Sequence, residues 1–217
     1  MSIELYVFPP SPRAFKVMAV ANHLGLDCQL RFLNLGQGAQ KAPDYAAMNP
    51  NMRMPTMKDG DWVLWESEAI IQYLALQKPE ANLLPKDEKA RLDVTRWQFW
   101  NLAHWDSHCA VYIFENLVKP RLLGIMEPDR AALERVKELF DRSARMLDGH
   151  LKGRTWVAGN ALSLADFSLG AALNVAGPTG MPLEPYTEIR RWFSGLSALP
   201  AWQRTLAQAS APAANAA

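Results

Sequence analysis

From Ile3 to Leu33 the chain reads strand, helix, strand, and that order restricts the fold more than any other feature. Ile3–Phe8 is rich in strand formers and is broken by Pro9-Pro10-Ser11-Pro12. Ser11 followed by Pro12 is a helix start, with the serine as N-cap and the proline at the first helical position. Apolar residues at Phe15, Val17, Met18, Val20, Ala21 and Leu24 predict a helix over Arg13–Leu24, stopped by Gly25. Cys28–Leu33 reads as a second strand. A crossover of this length joins parallel strands in a right-handed unit. A short helix over Pro43–Met48 and a strand at Met54-Pro55-Thr56-Met57 come next. The Asp59-Gly60 turn leads to a strand at Trp62–Trp65 and a helix over Ser67–Gln77. The predicted order is βαβαββα, with the last two strands in an antiparallel hairpin.

Beyond a linker with two prolines, Pro79 and Pro85, the pattern changes to helices. Lys86–Val118 reads as one helix that Pro120 ends. Asp129–Leu151 is charged and amphipathic. Thr187–Leu206 holds one or two helices interrupted by Pro200, and Ala207–Ala217 reads as a frayed, solvent-exposed tail. Ser163-Leu-Ala-Asp166 has capping-box spacing, with Asp in place of the usual Glu or Gln, and opens a helix over Leu164–Ala176. Loss of Asp166 is expected to cost about 1 kcal/mol, somewhat more if it is buried.

Composition excludes several classes of function. Basic and acidic residues nearly balance, 23 against 22, and no basic tract favours a nucleic-acid partner. The longest apolar runs fall far short of the roughly 20 residues a membrane span needs. The N-terminal apolar run is too short for a secretory leader, which predicts a cytoplasmic protein with reduced thiols. The two cysteines, Cys28 and Cys109, have no metal-type spacing.

Phe8-Pro-Pro-Ser-Pro, Asn49-Pro-Asn-Met-Arg-Met-Pro-Thr-Met, Asp59-Gly60 and Trp65-Glu-Ser-Glu-Ala-Ile-Ile-Gln-Tyr-Leu-Ala75, together with Ser163-Leu-Ala-Asp166-Phe, resemble the cytosolic glutathione transferases. Among them the chain looks most like the Phi-type and bacterial serine enzymes. The resemblance implies an α/β thioredoxin-like domain over 1–78, a linker over 79–87 and an all-helical domain over 88–217 that contributes the electrophile site. It also implies a cytoplasmic homodimer that binds glutathione and a small hydrophobic electrophile, with no metal.

The resemblance places the activating hydroxyl at Ser11. At a helix N-terminus a hydroxyl and free backbone N–H groups favour a sulfur anion, the reactive form of a thiol. An isolated Ser-Pro more often only caps its helix. Tyr6 is the rival activator, but it lies inside the first strand and reads as structural. Met54-Pro55 resembles the family's cis-proline, which turns the Met54 backbone toward the cysteinyl unit of glutathione. Ser67 would donate to the γ-glutamyl carboxylate, as helix starts hold anions, and Glu66 would meet the ligand's ammonium group or backbone. Lys41 matches a lysine that holds the glycine carboxylate. Gln40 and Arg53 depart from the Phi pattern and leave the exact class open. An arginine at 53 could pair with a carboxylate or point to the partner subunit.

For the electrophile, the resemblance points to Pro10 and to Trp100, Asn101, His104, Trp105 and His108 of the long helix. Trp97, Asn101, His104, His108 and Tyr112 share one stripe at α-helical spacing. Such a stripe is more often core or interface than pocket. The two histidines lack an HExxH arrangement, so no metal is expected. The same site would serve conjugation or another glutathione-dependent reaction: a peroxidase, lyase, isomerase or dehalogenase. Serine rather than cysteine at 11 argues against disulfide exchange. A non-catalytic binding or regulatory protein of the same fold is the third reading.

Overall fold

The computed structural model of the chain describes residues 3–210. They form two compact units: one comprises the chain up to Leu84 together with the segment from Ala198, the other Pro85–Ser197.

The first unit holds a four-stranded sheet of order β2-β1-β3-β4. Its strands are β1 (Ile3–Val7), β2 (Cys28–Phe32), β3 (Thr56–Asp59) and β4 (Trp62–Trp65). β1 pairs parallel with β2, whereas β3 pairs antiparallel with both β1 and β4. The crossover between β1 and β2 is α1 (Pro12–His23), and α2 (Pro43–Met48) and α3 (Ser67–Leu76) complete the predicted order. β3 starts later than the pattern predicts. Pro55 has no N–H to give a sheet ladder, so Met54 and Pro55 stay outside it. Leu5 and Val7 of β1, Met57 of β3 and Ile70, Ile71 and Leu74 of α3 form the core with α1. From Ala14 to Ala21 every residue of α1 is buried, as expected of a helix covered on all sides.

The last helix returns to this unit. α10 (Pro200–Ser210) packs on α1, with Trp202 edge-on to Phe15 at 5.0 Å between ring centroids. Asn22 Nδ2 donates to Thr205 Oγ1 and Gln208 Oε1, each at 2.8 Å. By packing, α10 therefore goes with the sheet, although its sequence follows directly on the helical region. Residues 207–210 are helical rather than frayed. The remainder of the expected tail, residues 211–217, lies outside the described residues.

The second unit is helical. α4 (Glu88–Trp100) and α5 (Asp106–Ile113) are joined by a π-type stretch, Asn101–Trp105, and a second such stretch follows at Phe114–Leu123. Pro120 does not end this helix. In an α-helix its ring would strike the carbonyl four residues back, but π-type turns bond five residues back and let the backbone pass. The rod stops at Gly124, in the left-handed region with φ 68°. α6 (Arg130–Leu151) is capped by Asp129, which accepts from the Ala132 N–H at 3.0 Å. The predicted helix Leu164–Ala176 is instead α7 (Leu164–Gly170), a tight 3₁₀ stretch and the short α8 (Ala176–Thr179). Within that stretch Asn174 Nδ2 donates to the Ala171 carbonyl, competing with a backbone donor for it. α9 (Thr187–Ser197) closes the unit, whose core holds Trp105, Phe140, Leu147, Phe167 and Trp192.

Asp166 is the polar centre of that core, fully buried in the first turn of α7. Its Oδ2 accepts from the Ser163 N–H at 2.9 Å and the Ser163 hydroxyl at 3.1 Å. Its Oδ1 accepts from the Val157 N–H and from Trp192 Nε1, both at 2.9 Å. The capping box thus also ties α9 and the loop after α6 to the start of α7. No helix among the described residues is long and apolar enough to cross a membrane.

Candidate functional site

Strand register brings the predicted glutathione residues to one end of the sheet. Val7, the last residue of β1, sits beside Phe32, the last of β2. Tyr6 pairs with Thr56, and Thr56 with Trp65. β1, β2 and β4 therefore all finish where β3 begins. Ser11 follows β1, Lys41 lies in the connection after β2, Arg53–Pro55 precede β3, and Glu66–Ser67 follow β4. α1 and α3 both start at this end, so their positive dipole ends and unpaired first-turn N–H groups lie there.

Ser11 is the N-cap residue of α1, extended at φ −78° and ψ 129°, and its carbonyl accepts from the Phe15 N–H at 2.8 Å. Its hydroxyl makes no capping bond. A plain structural role would use that oxygen on the helix's own N–H groups, and Ser11 as a residue is half-exposed. Tyr6 is differently placed. Its hydroxyl donates to Glu4 Oε2 at 3.3 Å, and burial together with Glu4 pushes its pKa up, which keeps the phenol protonated.

The Met54–Pro55 bond is cis. The loop in front of it is held by a buried chain of polar groups absent from the expected site. Tyr45 Oη and Asn49 Nδ2 both donate to the Arg53 carbonyl, at 2.6 and 2.7 Å. Thr56 Oγ1 lies 2.8 Å from Tyr45 Oη and accepts from Asn49 Nδ2 at 3.0 Å. Burial raises the Tyr45 pKa, so the phenol remains a donor. The sequence carried a signal for this network: a tyrosine and an asparagine flanking a loop whose backbone needs acceptors and donors satisfied. Tyr45→Phe should raise the KM for glutathione about fivefold and lower stability by about 1–2 kcal/mol. Steady-state kinetics and denaturant melts check both, and an unchanged KM would remove Tyr45 from the site's support.

Glu66 has φ 73° and ψ 114°, which is unusual for a residue with a side chain. Such a backbone costs on the order of 1–3 kcal/mol and persists where the surroundings impose it, often at binding sites. Ser67, the first residue of α3, is buried. Lys41 ends the tight turn Ala39–Lys41, and Lys41, Arg53 and Pro10 are all exposed.

The residues expected around the electrophile separate on the structure. Trp105 is fully buried, donates its Nε1–H to the Leu169 carbonyl at 3.0 Å and packs on Phe140 at 5.2 Å. It belongs to the core, and Asn101, at 1% exposure, is buried as well. Trp100 and His108 are half-buried and His104 is exposed. His108 Nδ1 lies 3.0 Å from Ser143 Oγ. Of the predicted stripe, Trp97, Asn101 and Tyr112 are buried and His108 is half-buried, whereas His104 is exposed, because Asn101–Trp105 is π-type. Each turn there takes more residues than an α-turn, so the α-helical phase slips between Trp97 and His104.

Both halves of the chain match known family models. Residues 1–76 match the glutathione S-transferase N-terminal domain and residues 103–200 the C-terminal domain. Glutathione S-transferase 3 of Zea mays is 32% identical over 97% of this chain and 96% of its own length. The apo structure of glutathione S-transferase III superposes with a TM-score of 0.86 at 30% identity, over 98% of this chain and 99% of that one. Glutathione S-transferase I, solved with the ligand lactoylglutathione, gives 0.85 at 25% identity, over 95% and 99%. With both domain models matched in order and a relative aligned from end to end, the chain belongs to the glutathione S-transferase family.

Proposed function

We propose that this glutathione S-transferase holds glutathione across the shared end of its sheet, with Ser11 donating to the thiolate, and conjugates the sulfur to a small apolar electrophile. The observation that carries this reading is the convergence of two helix N-termini and the loop before β3 on one sheet end, with the Ser11 hydroxyl making no capping bond. From β1 to β4 is two strand spacings, about 10 Å, and a tripeptide spans a similar length. Sulfur near α1 and the γ-glutamyl carboxylate near α3 would each face a helix N-terminus.

Each residue then has a role. Met54 presents its backbone to the cysteinyl unit beside Pro55. Ser67 donates to the γ-glutamyl carboxylate, Glu66 accepts from the ammonium group, and Lys41 and Arg53 add positive charge for the remaining carboxylate. The thiol loses its proton to solvent, and the Ser11 O–H stabilises the anion that remains. The thiolate attacks the electrophilic carbon, forming a C–S bond as a leaving group departs with its electron pair. A hydroxyl at position 11 forms no mixed disulfide, which favours conjugation over thiol–disulfide exchange. Within this unit Pro10, next to Ser11, is the proposed contact for the electrophile.

Glutathione at a hundredfold excess over its Kd should stabilise the native chain by about 2.7 kcal/mol, raising the Tm by roughly 5–10 °C. The same sample should convert an activated chloroarene to its glutathione conjugate. No shift at millimolar glutathione and no conjugate would overturn the proposal.

A homodimer belongs to the same reading. β4 is an edge strand bearing Trp62 and Trp65 at 49% and 39% exposure, and α4 exposes Leu92 and Phe99 at 67% and 65%. Apolar surface of this kind is characteristic of an interface. Light scattering should report about twice the 24.3 kDa chain mass, and a mass of one chain would contradict it. Two free thiols, Cys28 and Cys109, suit the cytoplasmic setting in which glutathione stays reduced.

A further inference from the structure

We infer that a buried ion pair, Lys16–Glu68, positions the two helix starts that capture glutathione. Lys16 Nζ donates to Glu68 Oε1 at 2.7 Å, with side chains 1% and 8% exposed. Lys16 is the only charged residue in the buried run Ala14–Ala21 of α1, in the turn after the one that Ser11 caps. Five residues of helix put it about 7.5 Å along the axis from Ser11. Glu68 is the second residue of α3, next to Ser67 and two from the strained Glu66. The bond therefore joins the helix that carries the sulfur-activating hydroxyl to the helix that carries the proposed carboxylate donor.

Stability alone does not account for such a pair. Removing two charges from water costs about as much as their attraction returns, and apolar side chains of similar volume usually serve the core as well or better. Apolar contacts do not supply direction. A short charge-assisted bond restricts sliding and rotation between α1 and α3, whereas apolar faces slip more easily. A ligand that must reach both helix starts loses affinity when their separation drifts.

This inference rests on the glutathione reading, and the experiment separates the two. The parent is compared with Lys16→Met/Glu68→Met, Lys16→Arg and Glu68→Gln in steady-state conjugation and thermal melts. In the double methionine variant the Tm should stay at or above that of the parent. Its KM for glutathione should rise about tenfold, with kcat at saturating glutathione within twofold and the KM for the electrophile unchanged. Lys16→Arg keeps the pair and should restore the parental KM. Glu68→Gln keeps a weaker neutral acceptor and should raise it about threefold. A parental glutathione KM in the double variant overturns the inference. If that variant does not fold, a parental KM in Glu68→Gln overturns it instead. If the parent neither binds nor turns over glutathione, the glutathione reading fails first and this inference falls with it.

Discussion

Ser11→Ala is expected to lower the conjugation rate at pH 7 and saturating glutathione by about two orders of magnitude, while the Tm stays within a degree or two of the parent. A hydrogen bond to a charged group contributes about 1.5–3 kcal/mol, and a donor aimed at developing charge accounts for a similar share of many enzymatic rates. The lost donor raises the pKa of bound glutathione by about one to two units, because each unit corresponds to 1.36 kcal/mol. The deficit should therefore be largest near neutral pH and shrink as the pH approaches the thiol's ordinary value near 8.5. The KM for glutathione should change little, since the peptide contacts remain. Stability separates this role from capping. A serine whose oxygen held the helix start would cost about 1 kcal/mol on removal, whereas the Ser11 hydroxyl makes no such bond. A pH–rate profile measured beside a melt tests both halves. An unchanged rate would end the assignment, and a fall in Tm with intact kinetics would return Ser11 to a structural role.

Asp166→Ala is expected to lower stability by about 3–5 kcal/mol, well above an ordinary cap. The carboxylate accepts from the Val157 N–H, the Ser163 N–H and hydroxyl and Trp192 Nε1, and its loss leaves four buried donors without their acceptor. For a chain of this size that corresponds to a Tm drop of roughly 10–15 °C. Catalysis by the folded fraction at low temperature should stay within twofold, because Asp166 sits in the helical unit and acts on the fold.

The same residue gives a pH signature. Burial pushes the Asp166 carboxyl from 3.8 up to about 6, against the pull of its four donors. Between those values the folded chain keeps a proton that the unfolded chain has released. The group's contribution to stability is complete below about pH 4 and is lost as the pH rises through about 6. Compared with Asp166→Asn, which does not titrate, the parent should lose on the order of 2 kcal/mol of relative stability between pH 4 and 7. Denaturant melts across that range measure it, and a difference independent of pH would contradict it.

Much of this molecule is legible from local chemistry. Ser11-Pro12, Gly25, the Asp59-Gly60 turn and the capping box of Ser163 and Asp166 act through neighbours in sequence, so they mark element order before any packing is known. Where longer-range effects enter, the local pattern misleads. Pro120 reads as a helix end, yet π-type turns carry the backbone past it. The same widening at Asn101–Trp105 takes His104 out of the Trp97–Tyr112 stripe, and Trp105 lies in the core.

The sequence by itself determined the order of the strands and helices, the break into mixed and helical regions and the residues that carry the glutathione resemblance. Only the tertiary structure decided that β1, β2 and β4 end where β3 begins, because strand order and register depend on pairings across the chain. It also decided that α10 returns to α1 and that Lys16 lies against Glu68. Residues distant in sequence meet only once the sheet and its helices have packed. The charge on Lys16 is tolerated in a buried helix because a partner on α3 faces it, and no local pattern carries that information.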